Sequence, residues 1–169
     1  MKDSSDGYGP LSMPPSSEAA AILAAMTEEE KVNFSELLRH LQEWLESSAE
    51  KQSVKFHPEA RAVFWGTAFA KIADHYRDIN RNEKALFFTN IAWNLSRYPV
   101  FAYNKALFLI AAGDFRSAKT LLETYLAEYR KVLTNPLLTV VNPEMTEEKL
   151  EKLAGSARAK IIALESQSE

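Results

Sequence analysis

The chain has 169 residues, 46% apolar and 25% charged, with a formal net charge of −3; this suits one domain with a buried core and not a disordered, collagen-like or membrane class. It contains no cysteine, which excludes disulfides, thiolate metal sites, iron–sulfur clusters and cysteine nucleophiles, and fits a reducing compartment such as the cytoplasm. The longest apolar stretch, Ala19 to Met26, is too short to cross a membrane and follows Asp3, Asp6 and Glu18 instead of a basic leader, so neither a transmembrane helix nor a secretory signal is expected.

Residues 1–17 are mostly Ser, Pro, Gly and Asp and are expected to form a disordered tail, because they cannot bury enough apolar surface to offset the entropy of ordering. Thr27 stands three residues before Glu30, the spacing of a capping box, and predicts a helix start. Phe34, Leu37, Leu38, Leu41, Trp44 and Leu45 then recur every three or four residues on one stripe, and the helix fades over Ser47 to Glu50. Pro58 suits the first position of a second helix, running to about Asp78. Its apolar face, Val63, Phe64, Ala68, Phe69, Ile72 and Tyr76, is too broad for a lone surface helix and calls for neighbours on two sides. Trp44, Phe64 and Trp65 are either core or the seam of a dimer.

A third helix is predicted from Glu83 to Arg97, stopping near Pro99; a fourth from Phe101 to Ala112; and a fifth from Phe115 to about Val132. Only Gly113 and Asp114 separate the last two, so they fold back as an antiparallel hairpin. Asn135-Pro136 and Asn142-Pro143 bracket an extended apolar run, Leu137 to Val141, which is expected to lie in a groove of its own domain or of a partner. Thr146 caps a last helix, Glu147 to about Leu164. The expected class is all-α: a single domain over residues 27–165, with flanking capping helices at 28–50 and 147–164.

The middle of the chain contains an internal period. Ala85 and Ala118 stand 33 residues apart, each just inside a helix that follows a polar turn; Ala73 and Ala106, Tyr76 and Leu109, and Phe88 and Leu121 share that spacing. With Phe69, Ile72, Ala73, Tyr76 and Ala85 in a first unit and Ala106, Leu109, Ala118 and Leu122 in a second, residues 62–132 resemble the tetratricopeptide repeat (TPR) family. The chain departs from that pattern at Thr89, Ala102 and Lys105, and Pro99 falls slightly late. The resemblance implies a TPR-like right-handed α-α superhelix of about three antiparallel hairpins, the flanking helices covering its ends. It also implies a non-catalytic adaptor or chaperone-like module, akin to small bacterial secretion chaperones, that holds a peptide or helix of a partner protein or self-associates. The surface implied for the partner is the concave one, lined by Thr67, Ala70, Asp74 and Arg77 from the first unit and Tyr103, Asn104, Leu107 and Ile110 from the second. Of the basic and amide residues with which the chaperone-binding subclass grips a C-terminal carboxylate, only Asn104 has a counterpart, so chaperone tails are not expected as ligands. Either that groove takes a partner, or Leu137 to Val141 or the last helix fills it in cis.

Two other chemistries compete with this reading. Charge is unevenly distributed: net −6 over residues 1–54, +5 over 55–131 and −2 over 132–169. Arg77, Arg81 and Lys84 crowd one turn beside Tyr76, a pattern that attracts nucleic acid or an acidic ligand, although an overall pI near 5.7 gives no steering toward phosphates. The blander explanation is that the acidic first helix packs near the basic core. His75 with Asp74 and Asp78 forms the only local acid–histidine group and is the candidate for a metal or enzyme site; a surface polar cluster is the alternative. His40 and His57 lie too far away in sequence to join it. Ser48 and Lys51 match S-x-x-K without the companion motifs of those enzymes, and no glycine pattern cradles a phosphate. No cofactor is expected.

Overall fold

The computed structural model describes residues 14–46, 58–135 and 145–167, apart from the side chains at 41, 44–46 and 58. Seven α-helices account for nearly all of these residues: α1 (Ser17–Ala25), α2 (Glu28–Glu46), α3 (Pro58–Asp78), α4 (Asn82–Ser96), α5 (Pro99–Ala111), α6 (Phe115–Thr134) and α7 (Glu147–Gln167). Among the described residues there is no strand, and no helix is long and apolar enough to cross a membrane. Most of the tail expectation, the S-x-x-K match, His57 and the Leu137 to Val141 run fall outside the described residues.

α1 is the element the periodicity does not reveal. Ser16 starts it, its side chain accepting from the Ala19 N–H at 3.1 Å, and alanine, the best helix former, fills most of its length. Because Ala and aliphatic residues surround the whole helix, they form no stripe for a period search to find. At α2 the capping box forms as its spacing predicts: Glu30 N–H donates to Thr27 Oγ1 at 3.1 Å, and Thr27 N–H donates to Glu30 Oε1 at 2.9 Å. Pro99, expected as a stop, instead lies in the first turn of α5, where its missing N–H costs nothing. Arg97, left-handed at φ 56°, caps α4 just before it, so the two helices are joined without a loop.

The turns between α3 and α4 and between α5 and α6 have the same geometry. Asn80 (φ 62°) and Gly113 (φ 85°) hold the left-handed position past each helix end. Arg81 N–H donates to Tyr76 O at 2.8 Å and Asn80 N–H to Arg77 O at 3.0 Å; Asp114 N–H donates to Leu109 O at 2.9 Å and Gly113 N–H to Ile110 O at 3.0 Å. Both are Schellman closures with an Asn or Gly in the left-handed position, the two residues best able to adopt it. They stand 33 residues apart, the period of the sequence repeat. The small residues of that repeat, Ala73, Ala85, Ala106 and Ala118, are all buried.

The closest packing joins α3 to α4, α5 to α6 and α6 to α7, with α4 on α5 and α2 on α3 continuing the chain of contacts. One apolar core runs from Ala19 to Leu164. α3 has the two neighbours its wide face demanded. Phe34 from α2 lies 4.8 Å from the Trp65 ring and 4.6 Å from Phe69, and Phe69 stacks on Phe88 of α4 at 6.1 Å. Phe64 and Trp65 are therefore core of this chain, not a dimer seam. Gly66 of α3 lies so close to α5 that an added Cβ would stand 2.6 Å from Phe101 Cε2.

Candidate functional site

The sequence-derived site residues lie on α3 and α5. On α3, Thr67 is buried and donates its hydroxyl proton to Val63 O at 2.8 Å, so it is not on an open surface. Asp74 and Arg77, one turn apart and both half-exposed, form an ion pair at 3.3 Å. Partial burial raises the Asp74 carboxyl above its ordinary value, and the Arg77 and Lys71 charges oppose that rise. Asp78 also faces Arg77, with its Oδ1 4.0 Å from Nε. The arginine thus sits between the two carboxylates that sequence proximity had assigned to His75. His75 itself is exposed and packs its ring 5.6 Å from Tyr76. Among the described residues no three His, Cys, Asp or Glu side chains are grouped to hold a metal ion. The helical spacing of Asp74, His75 and Asp78 therefore does not become a ligand set.

The three cations proposed for nucleic acid do gather at the α3–α4 turn, but each has an internal partner. Lys84 donates to Glu30 Oε2 at 2.8 Å. Arg81 and Lys84 approach the Tyr76 ring at 6.0 and 5.2 Å, and Arg77 is paired with Asp74. Glu30, only 5% exposed, also accepts from the Tyr76 hydroxyl. Burial would raise its pKa; bonds from Lys84, Tyr76 and the Thr27 N–H outweigh this and bring it from 4.5 down to about 2. The acidic α2 does pack on the basic repeat here, through this one carboxylate.

On α5, the structure separates residues that the sequence had grouped. Tyr103 is 6% exposed: its ring lies 5.6 Å from Tyr125, and its hydroxyl shares a 2.8 Å hydrogen bond with Ser156 Oγ of α7. It belongs to the core, since the last helix lies over it. α7 is fixed there by two further tyrosines of α6, Tyr125 donating to Leu150 O at 2.8 Å and Tyr129 to the Glu151 carboxylate at 3.0 Å. Burial, with the neighbouring Tyr and Glu groups, pushes the Tyr125 hydroxyl far above its ordinary value, so it stays a donor. Asn104, Leu107 and Ile110 are half-buried, the two apolar ones resting against the core.

The burial of two further residues was not legible in the sequence. Lys105 is half-buried, and that burial, reinforced by the Arg97 charge, lowers its ammonium pKa. Phe87 of α4 is 55% exposed. It shares an i, i+4, i+8 spacing with Ile91 and Leu95, yet Ile91 is buried in the core and Leu95 rests against it, so the spacing did not tell which of the three would face water.

What this arrangement can do is present apolar and amide side chains from the helices α3 and α5. Comparison with known proteins finds no family model, no curated protein and no solved structure that matches this chain.

Proposed function

We propose that the chain is a cytoplasmic, non-catalytic protein–protein interaction module of the adaptor or chaperone-like kind, holding a peptide or helix of a partner along α5. We further propose that its hairpins stack as a TPR-like superhelix, with α2 and α7 covering the ends. The recurring turn geometry at Asn80 and Gly113, together with the buried alanines at the same period, supports the repeat reading.

The observation that carries the functional reading is the open flank of α5. Leu107 and Ile110 are large apolar side chains that pack on the core yet keep part of their surface in water, with Asn104 beside them to hydrogen-bond a backbone. Their neighbour Tyr103 is sealed by α7, so the last helix occupies part of this face and leaves the rest. Asp74 and Arg77 offer a second, charged contact on α3.

The test is affinity capture from the native source with the intact chain and with Leu107→Ala combined with Ile110→Ala. Tyr103→Ala is unsuitable, because it opens the core under α7. The expected result is a partner held by the intact chain and lost from the double variant, which remains folded by circular dichroism. Capture unchanged in the folded double variant overturns the reading.

A further inference from the structure

Among the described residues, Asn80, Arg97 and Gly113 hold the left-handed backbone conformation. Asparagine and glycine adopt it most readily; the arginine that closes α4 does so against its own preference. The turn uses only the Arg97 backbone, whose N–H donates to Trp93 O at 3.0 Å, a bond that glycine or asparagine would make equally well. The guanidinium lies over the Trp93 ring, 4.7 Å from its centroid, and among the described residues it has no hydrogen bond or ion pair to a carboxylate. An unfavourable backbone thus holds a cation where the fold asks for none.

A second cation stands close to it. Lys105 of α5 is half-buried, and among the described residues it too makes no hydrogen bond or ion pair. Burial lowers its ammonium pKa, the Arg97 charge lowers it further, and no carboxylate opposes either effect. At the α3–α4 turn the cations are treated differently, since Lys84 has Glu30 and Arg77 has Asp74. Two like charges held together, one of them partly withdrawn from water, are unfavourable in the chain alone, and an anion between them relieves both costs.

We propose that Arg97 and Lys105 form a binding site for a phosphoryl group. The guanidinium, backed by the indole, offers a planar fork to two oxygens, and the ammonium offers a point charge to a third. A carboxylate neutralises one of the two cations, whereas a phosphoryl dianion matches both and has an oxygen for each. The site needs no partner protein on the α5 flank, so either reading stands if the other fails.

The probes are inorganic phosphate and N-acetyl-phosphoserine amide, titrated at constant ionic strength against the isotope-labelled full chain, with the Trp93 indole N–H signal as the NMR reporter. Saturable movement of that signal is expected, with a dissociation constant of about 1 mM. The Trp65 indole, enclosed against Phe34, does not move. Lys105→Gln weakens binding about tenfold, whereas Lys71→Gln, which removes an exposed lysine of α3, leaves it unchanged. Arg97→Gly abolishes binding while Tm holds or rises, because glycine suits the left-handed position. Binding retained in Arg97→Gly overturns the site, as does a shift that chloride reproduces at the same ionic strength, or one that Lys71→Gln and Lys105→Gln diminish equally. Specific binding of either probe supports it, and the tighter one names the source: the ester a phosphorylated chain, inorganic phosphate the free ion.

Discussion

At the scale of single residues, two positions hold more of the fold than their type suggests. Gly66 is required by proximity: an added methyl would meet Phe101, whose ring is itself buried and cannot swing into solvent. Gly66→Ala is therefore expected to destabilise the chain by about 1–3 kcal/mol despite alanine's better helix propensity, seen as a lower Tm in thermal unfolding. Glu30 ties the start of α2 to Tyr76 of α3 and Lys84 of α4 while completing its own capping box. Its pKa is lowered from 4.5 to about 2. A lowered carboxylate pKa adds stability that is fully present above the unfolded-state value and is lost as the pH falls toward the folded-state value. By that linkage Glu30→Gln loses at most about 3 kcal/mol at neutral pH, and the gap between the two proteins closes between about pH 4.5 and 2. Urea unfolding across that range checks it; a gap that persists at the acid end would show that packing, not charge, holds Glu30.

At the scale of elements, the hairpin turns are the units on which the repeat depends. Gly113 has open space around its Cα, so Gly113→Ala isolates the backbone cost of a positive φ and is expected to lose about 1 kcal/mol. Asn80→Gly, at the equivalent turn, should be neutral or slightly stabilising there; a loss comparable to that of Gly113→Ala would mean that the Asn80 side chain does more than tolerate the conformation. Much of this scale was legible in the sequence. The Thr27–Glu30 box, Pro58 and Gly113 each act through local rules, and all three mark helix boundaries where those rules place them. α1 was not legible, because a helix apolar all round has no period. The fate of Tyr103 was not legible either. Its place on the partner-facing side of α5 follows from the repeat pattern, whereas its burial depends on where α7 packs, a long-range choice that residues 103 and 156 do not announce.

At the scale of the whole molecule, each helix from α2 onward packs mainly on its neighbour in the chain, and one core runs from Ala19 to Leu164. That order has a functional consequence. Faces between successive helices are consumed by the core, so the partner binding proposed above falls to flanks that end elements cover only in part. α7 bonds to Tyr103 while Leu107 and Ile110 keep part of their surface exposed, and Phe87 of α4 stays largely in water. Internal pairing has likewise taken up the charges that suggested other roles: Lys84 is held by Glu30 and Arg77 by Asp74. Whether the α5 flank holds a partner protein, as proposed, is decided by site-specific photo-cross-linking in the native source. A photoreactive residue at position 107 is compared with one at Ile162, an exposed apolar residue of α7. A discrete cross-linked protein is expected from position 107 and none from position 162; cross-links from position 162 alone, or from neither, would overturn the proposed α5 contact.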